Sequence, residues 1–388
     1  MNNAPPEGDP DKVDGDGSED AGAPASRWKR AHAGWTAFRR KHAKALIALL
    51  AVFAIVIGAC GYYLWSLNAK LDNIDRFSTD KLSDENRPDP NKGDAVNILL
   101  LGSDAGKKIE GESQDTSLAE DVDAETWPTG KYRSDTLMIV HITANRKHVY
   151  VTSIPRDSFV MIYDDEGEPT HKNKINAAFS QYGPVGALST VEHLADVRLD
   201  HVAIIDWAGF KDLSEAVGGV PVTIPETFYD SKQKVEWKAG KYNLKGEKAL
   251  QYVRTRHGLL RGDFDRIDRQ QNFLRSLMEK VLEAGTLTKP RQFSDTLSAI
   301  TDHLTVDEDW ENGDIRGLAL SLRGTKAEDV NFLTVPIAAT PTIDVYGSIV
   351  QLNTSQTDEL FTLMRQGKMG TYVKKYPDEL LGDEDEID

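Results

Sequence analysis

The chain has very little cysteine and a shortage of positive charge, and both absences restrict what it can be. Cys60 is the only cysteine among 388 residues, which excludes an internal disulfide and a cysteine-cluster metal site. Lysine and arginine number 46 against 62 aspartates and glutamates, for a net charge of −16. Because nucleic-acid binding needs a surplus of cations to neutralise phosphates, this balance argues against a nucleic-acid partner.

Several common catalytic motifs are also missing. The sequence has no G-x-S-x-G, H-E-x-x-H or G-x-x-x-x-G-K-[ST] pattern, so no serine-hydrolase elbow, helix-borne zinc motif or P-loop is indicated. The nine histidines are scattered along the chain, and we expect them to have structural roles.

Charge and hydropathy divide the N-terminal part into three segments. Residues 1–44 are predicted to be a disordered tail that ends in a basic segment, and residues 45–69 carry no charge. At about 1.5 Å per residue, the uncharged segment is long enough for a transmembrane helix through a bilayer core of about 30 Å. The basic flank before it and the acid-leaning linker 70–94 after it predict a cytoplasmic N-terminus and an extracytoplasmic remainder. We therefore expect a single-pass protein of the cell membrane.

Two other interpretations of this apolar segment fit less well. A cleaved signal peptide has a shorter apolar stretch and a small-residue cleavage site, neither of which is found here. A lipoprotein site at Cys60 is disfavoured because the apolar run continues through Tyr62, Tyr63 and Leu64. Cys60 is therefore interpreted as a small apolar residue within a membrane helix.

The remainder of the chain alternates strand-like and helical patterns. Strands are predicted at Val96–Leu101, Leu137–Ile142, His148–Ile154, His201–Asp206, Val220–Ile224 and Asn331–Val335. Helices are predicted at Pro184–Ala195, Ala208–Val217, Gly246–Arg254, Phe264–Ala284, Arg291–His303 and Asp314–Leu322. Such alternation favours an α/β fold, an α/β/α sandwich with a central mixed β-sheet. We expect one domain over residues 95–375, an exposed acidic loop at 106–130, and an acidic tail at 376–388.

Polar residues follow or open three of the predicted strands. Asp104 ends the first strand, Arg133 and Asp135 open the second, and Arg156 with Asp157 follows the third. Ligands of α/β sheets usually bind at strand ends, although Asp104 would serve equally well as the cap of a turn. Arg133 and Asp135 are two residues apart and should point to the same side of their strand, unless they form only a surface ion pair.

A fourth polar group spans residues 252–271. On the helix from Phe264, rotation by 100° per residue places one apolar stripe toward the core, formed by Ile267, Leu274, Met278, Val281 and Leu282. Arg266 and Gln270 are neighbours on the flank of this stripe, whereas Arg269 falls nearly opposite and is expected in solvent. Gln271 falls inside the stripe and is expected to be a buried structural amide.

Arginines at distant positions in the chain indicate a polyanionic ligand, because a planar guanidinium binds phosphate through two hydrogen bonds. Asp104 and Asp135 would then hold Mg²⁺, which takes one or two carboxylates together with substrate phosphates. The residues alone thus predict an extracytoplasmic phosphate or diphosphate site.

Six motifs resemble those of the LytR–CpsA–Psr family, and they occur in the family's order behind a single N-terminal span. They are NILLLGSD (97–104), RSDTLMIVHI (133–142), SIPRDS (153–158), KINAAF (174–179), DHVAIIDWAGFKDLSEAVGGVPVTIP (200–225) and GKYNLKGEKALQYVRTR…GDFDRIDRQQ (240–271). The resemblance implies an α/β/α domain with a long apolar pocket for a prenyl chain. It also implies a phosphotransferase that moves a glycopolymer from a polyprenyl diphosphate carrier to a muramic-acid hydroxyl of peptidoglycan.

The resemblance implies roles for individual residues. Asp104 and Asp135 match the family's Mg²⁺-binding aspartates, and with Arg156 they form the predicted catalytic group. The residues that match diphosphate contacts are Arg133, Arg156, Arg254, Arg256, Arg266 and Gln270. The implied partners are the polyprenyl-linked glycopolymer, peptidoglycan and the membrane lipid around the carrier.

The sequence departs from the family pattern at two places. The acidic insertion 106–130 separates the two proposed metal ligands, and Ser180–Pro184 replaces an expected glycine pair. Two other functions would use the same site: a pyrophosphatase that cleaves polyprenyl diphosphate, and a non-catalytic polyprenyl-lipid-binding envelope protein.

Overall fold

The structure is a computed structural model that describes residues 68–104, 118–122, 126–256, 261–282 and 290–383, with a few isolated positions outside these ranges. Residues 66–388 form one compact unit. Among the described residues, no helix is both long and apolar enough to cross a membrane, and the predicted span 45–69 lies largely outside them.

The described residues form strands and helices in alternation. The strands are β1 (Asp75–Phe77), β2 (Val96–Ser103), β3 (Ser134–Ile142), β4 (Val149–Ser153), β5 (Phe159–Tyr163), β6 (Pro169–Lys174), β7 (His201–Asp206), β8 (Val220–Ile224), β9 (Phe228–Asp230), β10 (Val235–Trp237), β11 (Gly240–Leu244), β12 (Leu304–Asp307), β13 (Val330–Thr334), β14 (Ile337–Ala339), β15 (Thr342–Ile343), β16 (Gly347–Ser348) and β17 (Gln351–Leu352). The helices are α1 (Leu118–Val122), α2 (Asn176–Ala195), α3 (Trp207–Ala216), α4 (Glu247–Arg254), α5 (Asp263–Leu282), α6 (Pro290–Thr301), α7 (Asn312–Ser321), α8 (Thr354–Arg365) and α9 (Met369–Lys375).

A seven-stranded mixed sheet forms the centre of the fold, in the order β1-β12-β7-β2-β3-β4-β13. β2 pairs in parallel with β7 and antiparallel with β3, and β4 pairs in parallel with β13. The ends of β2, β4, β7 and β13 and the start of β3 therefore lie at one edge of the sheet.

Helices cover both faces of this sheet, which explains why its strands read as continuous apolar runs. Leu99 and Leu101 of β2 pack in a core with residues of α2, α8 and α9. Ile98 of the same strand belongs to the core on the other face, where α5, α6 and α7 contribute. Because successive side chains of a strand point to opposite faces, one strand contributes to both cores. The predicted α/β/α sandwich with a mixed sheet is confirmed.

Both segments that flank the predicted domain contribute to it. Part of the linker predicted at 70–94 forms β1, which pairs with β12, and Leu71, Ile74 and Phe77 are buried. At the other end, the N–H of Leu381 donates to the carbonyl of Phe332 in β13. The sequence pattern missed both contacts, because a three-residue strand and a single bridge leave no periodicity to detect.

The prediction of an exposed loop at 106–130 is wrong for residues 118–122, which form α1, whereas Ala124, Thr126, Thr129 and Gly130 are exposed as expected. Residues 105–117 lie outside the described ones, but α1 follows, and its Asp121 is buried and paired with Lys131. The hydroxyl of Tyr132 donates to the same carboxylate at 2.7 Å, and the ring of Trp127 packs edge-on against Phe179. The prediction rested on composition, and the many acidic residues around α1 outnumber the few residues that pack against the domain.

The departure at Ser180–Pro184 is a kink within α2. Gly183 has a φ of 69°, a conformation that favours glycine, and a Cβ at this position would lie 3.0 Å from the ring of Trp127. Gly183 therefore allows the chain to turn next to the packed end of the insertion.

Candidate functional site

The strand ends at one edge of the sheet bring Asp104, Asp135 and Arg156 together. Asp104 follows β2, and its Oδ1 accepts the N–H of Arg133 at 3.0 Å. In return, the N–H of Asp104 donates to the carbonyl of Arg133 at 3.1 Å, which extends the pairing of β2 with β3 by one residue. Asp104 thus has both roles that the sequence left open: its hydrogen bonds with Arg133 fix the end of β2, and its side chain faces the site.

Asp135 lies between two arginines that come from distant parts of the chain. Its Oδ1 accepts a hydrogen bond from Nη1 of Arg156, which follows β4. Its Oδ2 accepts from Nη2 of Arg256, just after α4, at 3.2 Å. This carboxylate therefore sets the positions of two of the predicted diphosphate-binding arginines.

A second carboxylate, Asp263 at the start of α5, organises the same arginines. Its oxygens lie 2.8 Å from Nη2 of Arg266, 3.6 Å from Nε of Arg256 and 3.8 Å from Nε of Arg156. The sequence analysis did not select Asp263. The available signal was its position three residues before Arg266, which places both side chains on one face of the helix.

Burial and neighbouring charges shift the pKa values of Asp135 and Arg266 in opposite directions. Burial opposes ionisation of Asp135, but the charges of Arg156, Arg266 and Arg256 outweigh it and lower the pKa of this carboxyl. Arg266 is only 1% exposed, and its burial lowers the pKa of its guanidinium to about 10 despite the nearby Asp263. Asp135 is thus an anion and Arg266 a cation at neutral pH.

These residues line an open cavity of about 400 Å³. All eight predicted site residues line it: Asp104, Arg133, Asp135, Arg156, Arg254, Arg256, Arg266 and Gln270. The lining also includes four residues that sequence reasoning missed, Trp207, Asp230, Lys232 and Gln233. With six cationic side chains against three carboxylates, the cavity is suited to an anion despite the negative charge of the whole chain.

Asp230, at the end of β9, is a structural support of this cavity. It is 1% exposed, and its Oδ1 accepts the N–H groups of Lys232 and Gln233, both at 2.9 Å. Although burial opposes its ionisation, these hydrogen bonds, with others from the Gln233 side chain and the N–H of Arg256, lower the pKa of its carboxyl. Such local backbone bonds leave no helical or strand periodicity, which explains why Asp230 was missed.

Arg254 and Gln270 occupy the side of the cavity nearest α3. The guanidinium of Arg254 lies 5.4 Å from the ring centre of Trp207, within the range of a cation–π contact. Oε1 of Gln270 accepts from the hydroxyl of Thr136 at 3.2 Å, and its Nε2 donates to the carbonyl of Val253 at 3.4 Å.

A second, apolar cavity of about 260 Å³ shares Trp207 and Gln270 with the arginine-lined one. Leucine, isoleucine, methionine, valine and phenylalanine side chains from β2, β3, β7, α3 and α5 dominate its walls, with further contributions from α4, α6 and β12. The chain thus offers a cationic site directly beside a space for hydrocarbon.

The helix-rotation argument is right for three residues and wrong for Arg269. Arg266 and Gln270 line the cavity, and Gln271 is a buried amide whose Nε2 donates to Ser153 at 2.7 Å and to the carbonyl of Leu333 at 2.9 Å. Arg269, expected in solvent, is 1% exposed, and its guanidinium lies 4.2 Å from the ring centre of Phe228. The cause is that α5 is covered on two sides, which a single-stripe interpretation does not anticipate.

The two aspartates fit a magnesium ion better than a metal that needs a protein cage. Within the described ranges, no three histidine, cysteine, aspartate or glutamate side chains are grouped to hold an ion. Asp104 and Asp135 line the same cavity at neighbouring strand ends, and Mg²⁺ completes such a pair with phosphate and water oxygens. Both oxygens of Asp135 accept from arginines, but a carboxylate has about four acceptor positions, so coordination remains compatible with these bonds.

Comparisons with known proteins identify the family of the chain. The LytR_cpsA_psr family profile matches residues 63–366. The cell wall biosynthesis protein LcpA of Corynebacterium glutamicum is 29% identical over 370 residues, which cover 87% of this chain and 67% of LcpA. TagV of Bacillus subtilis, a polyisoprenyl-teichoic acid–peptidoglycan teichoic acid transferase, is 32% identical over 259 residues, covering 64% of this chain and 61% of TagV.

The fold agrees with a solved structure as well. The crystal structure of B. subtilis TagV matches with a TM-score of 0.55 at 25% identity, over 71% of this chain and 98% of that one. Because the family profile covers most of the sequence and the fold agrees, the chain belongs to the LytR_cpsA_psr family.

Proposed function

We propose that the protein is an extracytoplasmic phosphotransferase of cell wall assembly. It moves a glycopolymer from a polyprenyl diphosphate carrier to a muramic-acid hydroxyl of peptidoglycan and leaves a phosphodiester link. Relatives that are named as wall biosynthesis proteins and teichoic acid transferases support the general class of this reaction.

The contact between the two cavities carries the proposal. A polyprenyl diphosphate has a head group with two or three negative charges on a long hydrocarbon tail. The protein has an arginine-lined cavity that meets an apolar cavity at Trp207 and Gln270. A soluble sugar phosphate would leave the apolar space unused, and a simple lipid would not need six cations. The pair of cavities suits an amphipathic diphosphate.

In the proposed reaction, the acceptor hydroxyl oxygen bonds to the phosphorus nearest the polymer, and the bond from that phosphorus to the bridging oxygen breaks. Polyprenyl phosphate leaves, and the hydroxyl proton passes to a carboxylate. Both oxygens of Asp135 accept hydrogen bonds from arginines, so we assign this role to Asp104. Arg156, Arg256 and Arg266 hold the phosphate oxygens and offset the charge that they develop.

Magnesium, held by Asp104 and Asp135, would add charge neutralisation at the phosphates. The ion pairs that Asp135 and Asp263 form with arginines then have a separate role. They keep the guanidinium groups apart and oriented in the free protein, so that little reorganisation is needed when the diphosphate binds.

A transfer assay tests this function directly. The full chain in detergent micelles receives a short-chain prenyl-diphosphate glycan and Mg²⁺, with or without peptidoglycan fragments, in the parent and in Arg254→Ala. We expect product bonded to the peptidoglycan fragment in the parent and little in the variant. Free phosphate products at the same rate without the acceptor would instead support a pyrophosphatase, and bound but unchanged lipid would support a binding protein.

A further inference from the structure

A large polar cleft lies at the opposite edge of the sheet from the arginine-lined cavity. Its volume is about 850 Å³, and it is formed by the start of β2, the end of β3, the start of β4 and the loop between α8 and α9. The residues that matter for its chemistry are Asn91, Lys92, Asn145, Gln366, Lys368 and Lys374.

The charge of this cleft opposes the charge of the molecule. On a chain with a net charge of −16, three exposed lysines line it, Lys92, Lys368 and Lys374, and none of them forms an ion pair within the described part of the chain. The one carboxylate in the lining, Glu328, is bonded to Lys326 at 3.0 Å. Unpaired cations concentrated on an acidic protein favour an anionic ligand.

The cleft also presents hydrogen-bond donors that the protein does not use. Oδ1 of Asn145 accepts from the Thr143 hydroxyl and the Lys147 N–H, and Oε1 of Gln366 accepts from Lys368. The amide nitrogens of both side chains have no acceptor among the described residues, and they face the same space. Fixed amide nitrogens of this kind are suited to the oxygens of a polyhydroxylated ligand.

His141 lies in the packed wall of the cleft. Its side chain is fully buried, and its Nδ1 lies 2.6 Å from Oδ1 of Asn97. Because the Asn97 amide nitrogen donates to the carbonyl of Arg198, that Oδ1 is the acceptor and Nδ1 of His141 carries the proton. Nε2 therefore has a lone pair, and it has no hydrogen-bond partner in the described chain. Because Nε2 has almost no accessible surface, His141 belongs to the packed wall of the cleft and is not itself a ligand contact.

We propose that this cleft is a second binding site, for an anionic glycan. The lysines would pair with carboxylate or phosphate groups of the glycan, and the amide nitrogens of Asn145 and Gln366 would donate to its oxygens. The charges and donors of the cleft would suit any anion that carries hydroxyl groups, and the choice of a glycan rests on the proposed function. Such a site would hold polymer or acceptor on the protein independently of the transfer chemistry.

The two sites are separate enough to be tested independently. Asp135 and His141 belong to the same strand, six residues apart, which is about 20 Å at roughly 3.4 Å per residue. A ligand in the cleft does not reach the arginine-lined cavity unless it is several sugar units long.

Calorimetric titration of the full chain in detergent micelles tests the site. The probes are a disaccharide–tetrapeptide fragment of peptidoglycan, a glycerol-phosphate oligomer and the neutral sugar chitotetraose, each titrated both without and with saturating geranyl diphosphate. We expect at least one anionic probe to bind, and its identity shows whether carboxylate or phosphate is recognised. The double variant Lys368→Glu/Lys374→Glu should weaken this binding at least about tenfold, whereas Lys241→Glu, an exposed lysine on β11, should not.

A second variant replaces one hydrogen-bond donor with a charged acceptor without removing a fold contact. Asn145→Asp keeps the oxygen that accepts from Thr143 and Lys147 but exchanges the unused amide nitrogen for a negatively charged oxygen, so for an anionic probe we expect a loss of threefold or more at an unchanged Tm. Arg254→Ala should leave glycan binding intact even when transfer fails, which separates this proposal from the proposed function. Three results would overturn the site: no binding of any probe, binding that geranyl diphosphate abolishes, or equal binding of the neutral sugar in parent and double variant.

Discussion

At the scale of single residues, the central feature of the site is the use of carboxylates to order arginines. Asp135 and Asp263 together contact Arg156, Arg256 and Arg266, so each guanidinium has a protein partner before any phosphate arrives. Without these partners, like charges in a partly buried cavity would repel one another and lower the stability of the domain.

Asp135→Asn tests this role through its pH dependence. A carboxyl whose pKa is lowered in the folded state stabilises the fold above its unfolded pKa, and the effect disappears as the pH falls through the folded pKa. We therefore expect the parent to have a higher Tm than the variant from pH 5 to 7. The difference should shrink as the pH falls from the ordinary value of 3.8, where the carboxyl of the unfolded chain takes up a proton, through the lowered pKa of the folded one. A difference in Tm that stays constant down to pH 2.5 would show that charge is not its origin.

Asp263→Asn separates positioning from chemistry. Asp263 contacts three arginines but does not line the cavity, so its loss should misplace the phosphate-binding groups rather than remove one. We expect kcat/KM for transfer to fall about tenfold or more, mostly through weaker donor binding. Glu279→Gln, at an exposed position on the same helix, is the control and should leave both kinetic constants unchanged.

The same helix shows how far sequence reasoning reaches. Rotation by 100° per residue identified Arg266 and Gln270 correctly, because the position of the single apolar stripe determines which side of the helix these two residues lie on. The same argument failed for Arg269, although the signal for a second face was present: Phe273 lies four residues further on and is also buried. One sequence does not reveal that β9 and α4 cover this second face, because their contacts are long-range.

At the scale of elements, the helices on the second face of the sheet form most of the walls of the apolar cavity. α3, α5 and α6 leave the apolar cavity beneath Trp207 and Gln270. The strand and helix patterns predicted these elements to within a few residues. They did not predict the cavity, which depends on how far apart the packed helices lie.

Ile300→Trp tests whether this cavity holds the prenyl chain. Ile300 lies on α6 in the cavity wall and is partly exposed, so a larger ring fills the space without overpacking a closed core. We expect the affinity for farnesyl diphosphate to fall about tenfold, measured by calorimetry, while the affinity for inorganic diphosphate stays within twofold. Equal losses for both ligands would place the hydrocarbon elsewhere.

The edge strand β1 predicts a minimum length for the folded domain. A chain that begins at Ser78 lacks β1 and the buried side chains of Leu71, Ile74 and Phe77, whereas one that begins at Ser66 keeps them. Burial of one large apolar side chain contributes about 1.5–3 kcal/mol, so we expect the shorter chain to be several kcal/mol less stable. Urea unfolding followed by circular dichroism measures the difference, and coincident curves would show that β1 adds nothing.

At the scale of the whole molecule, the proposed function requires the domain to lie on the outer side of the membrane. The basic residues before the uncharged segment 45–69 and the acid-leaning residues after it predict that the domain lies outside the cytoplasm. A lipid-linked donor and the wall acceptor would then both be within reach of the cavities. If the domain were cytoplasmic, neither the proposed acceptor nor the second glycan site would have a ligand.

Cysteine labelling on intact cells tests this orientation, and the sequence makes the experiment simple. Cys60→Ala removes the only cysteine, after which Lys172→Cys places a single thiol at an exposed position on β6. We expect a membrane-impermeant maleimide to label this thiol on intact cells whose outer permeability barriers admit the reagent. Ser26→Cys in the N-terminal tail is the matched control, and it should react only after the membrane is permeabilised. Labelling of the tail but not of β6 on intact cells would invert the topology, and the proposed transfer to peptidoglycan would fail with it.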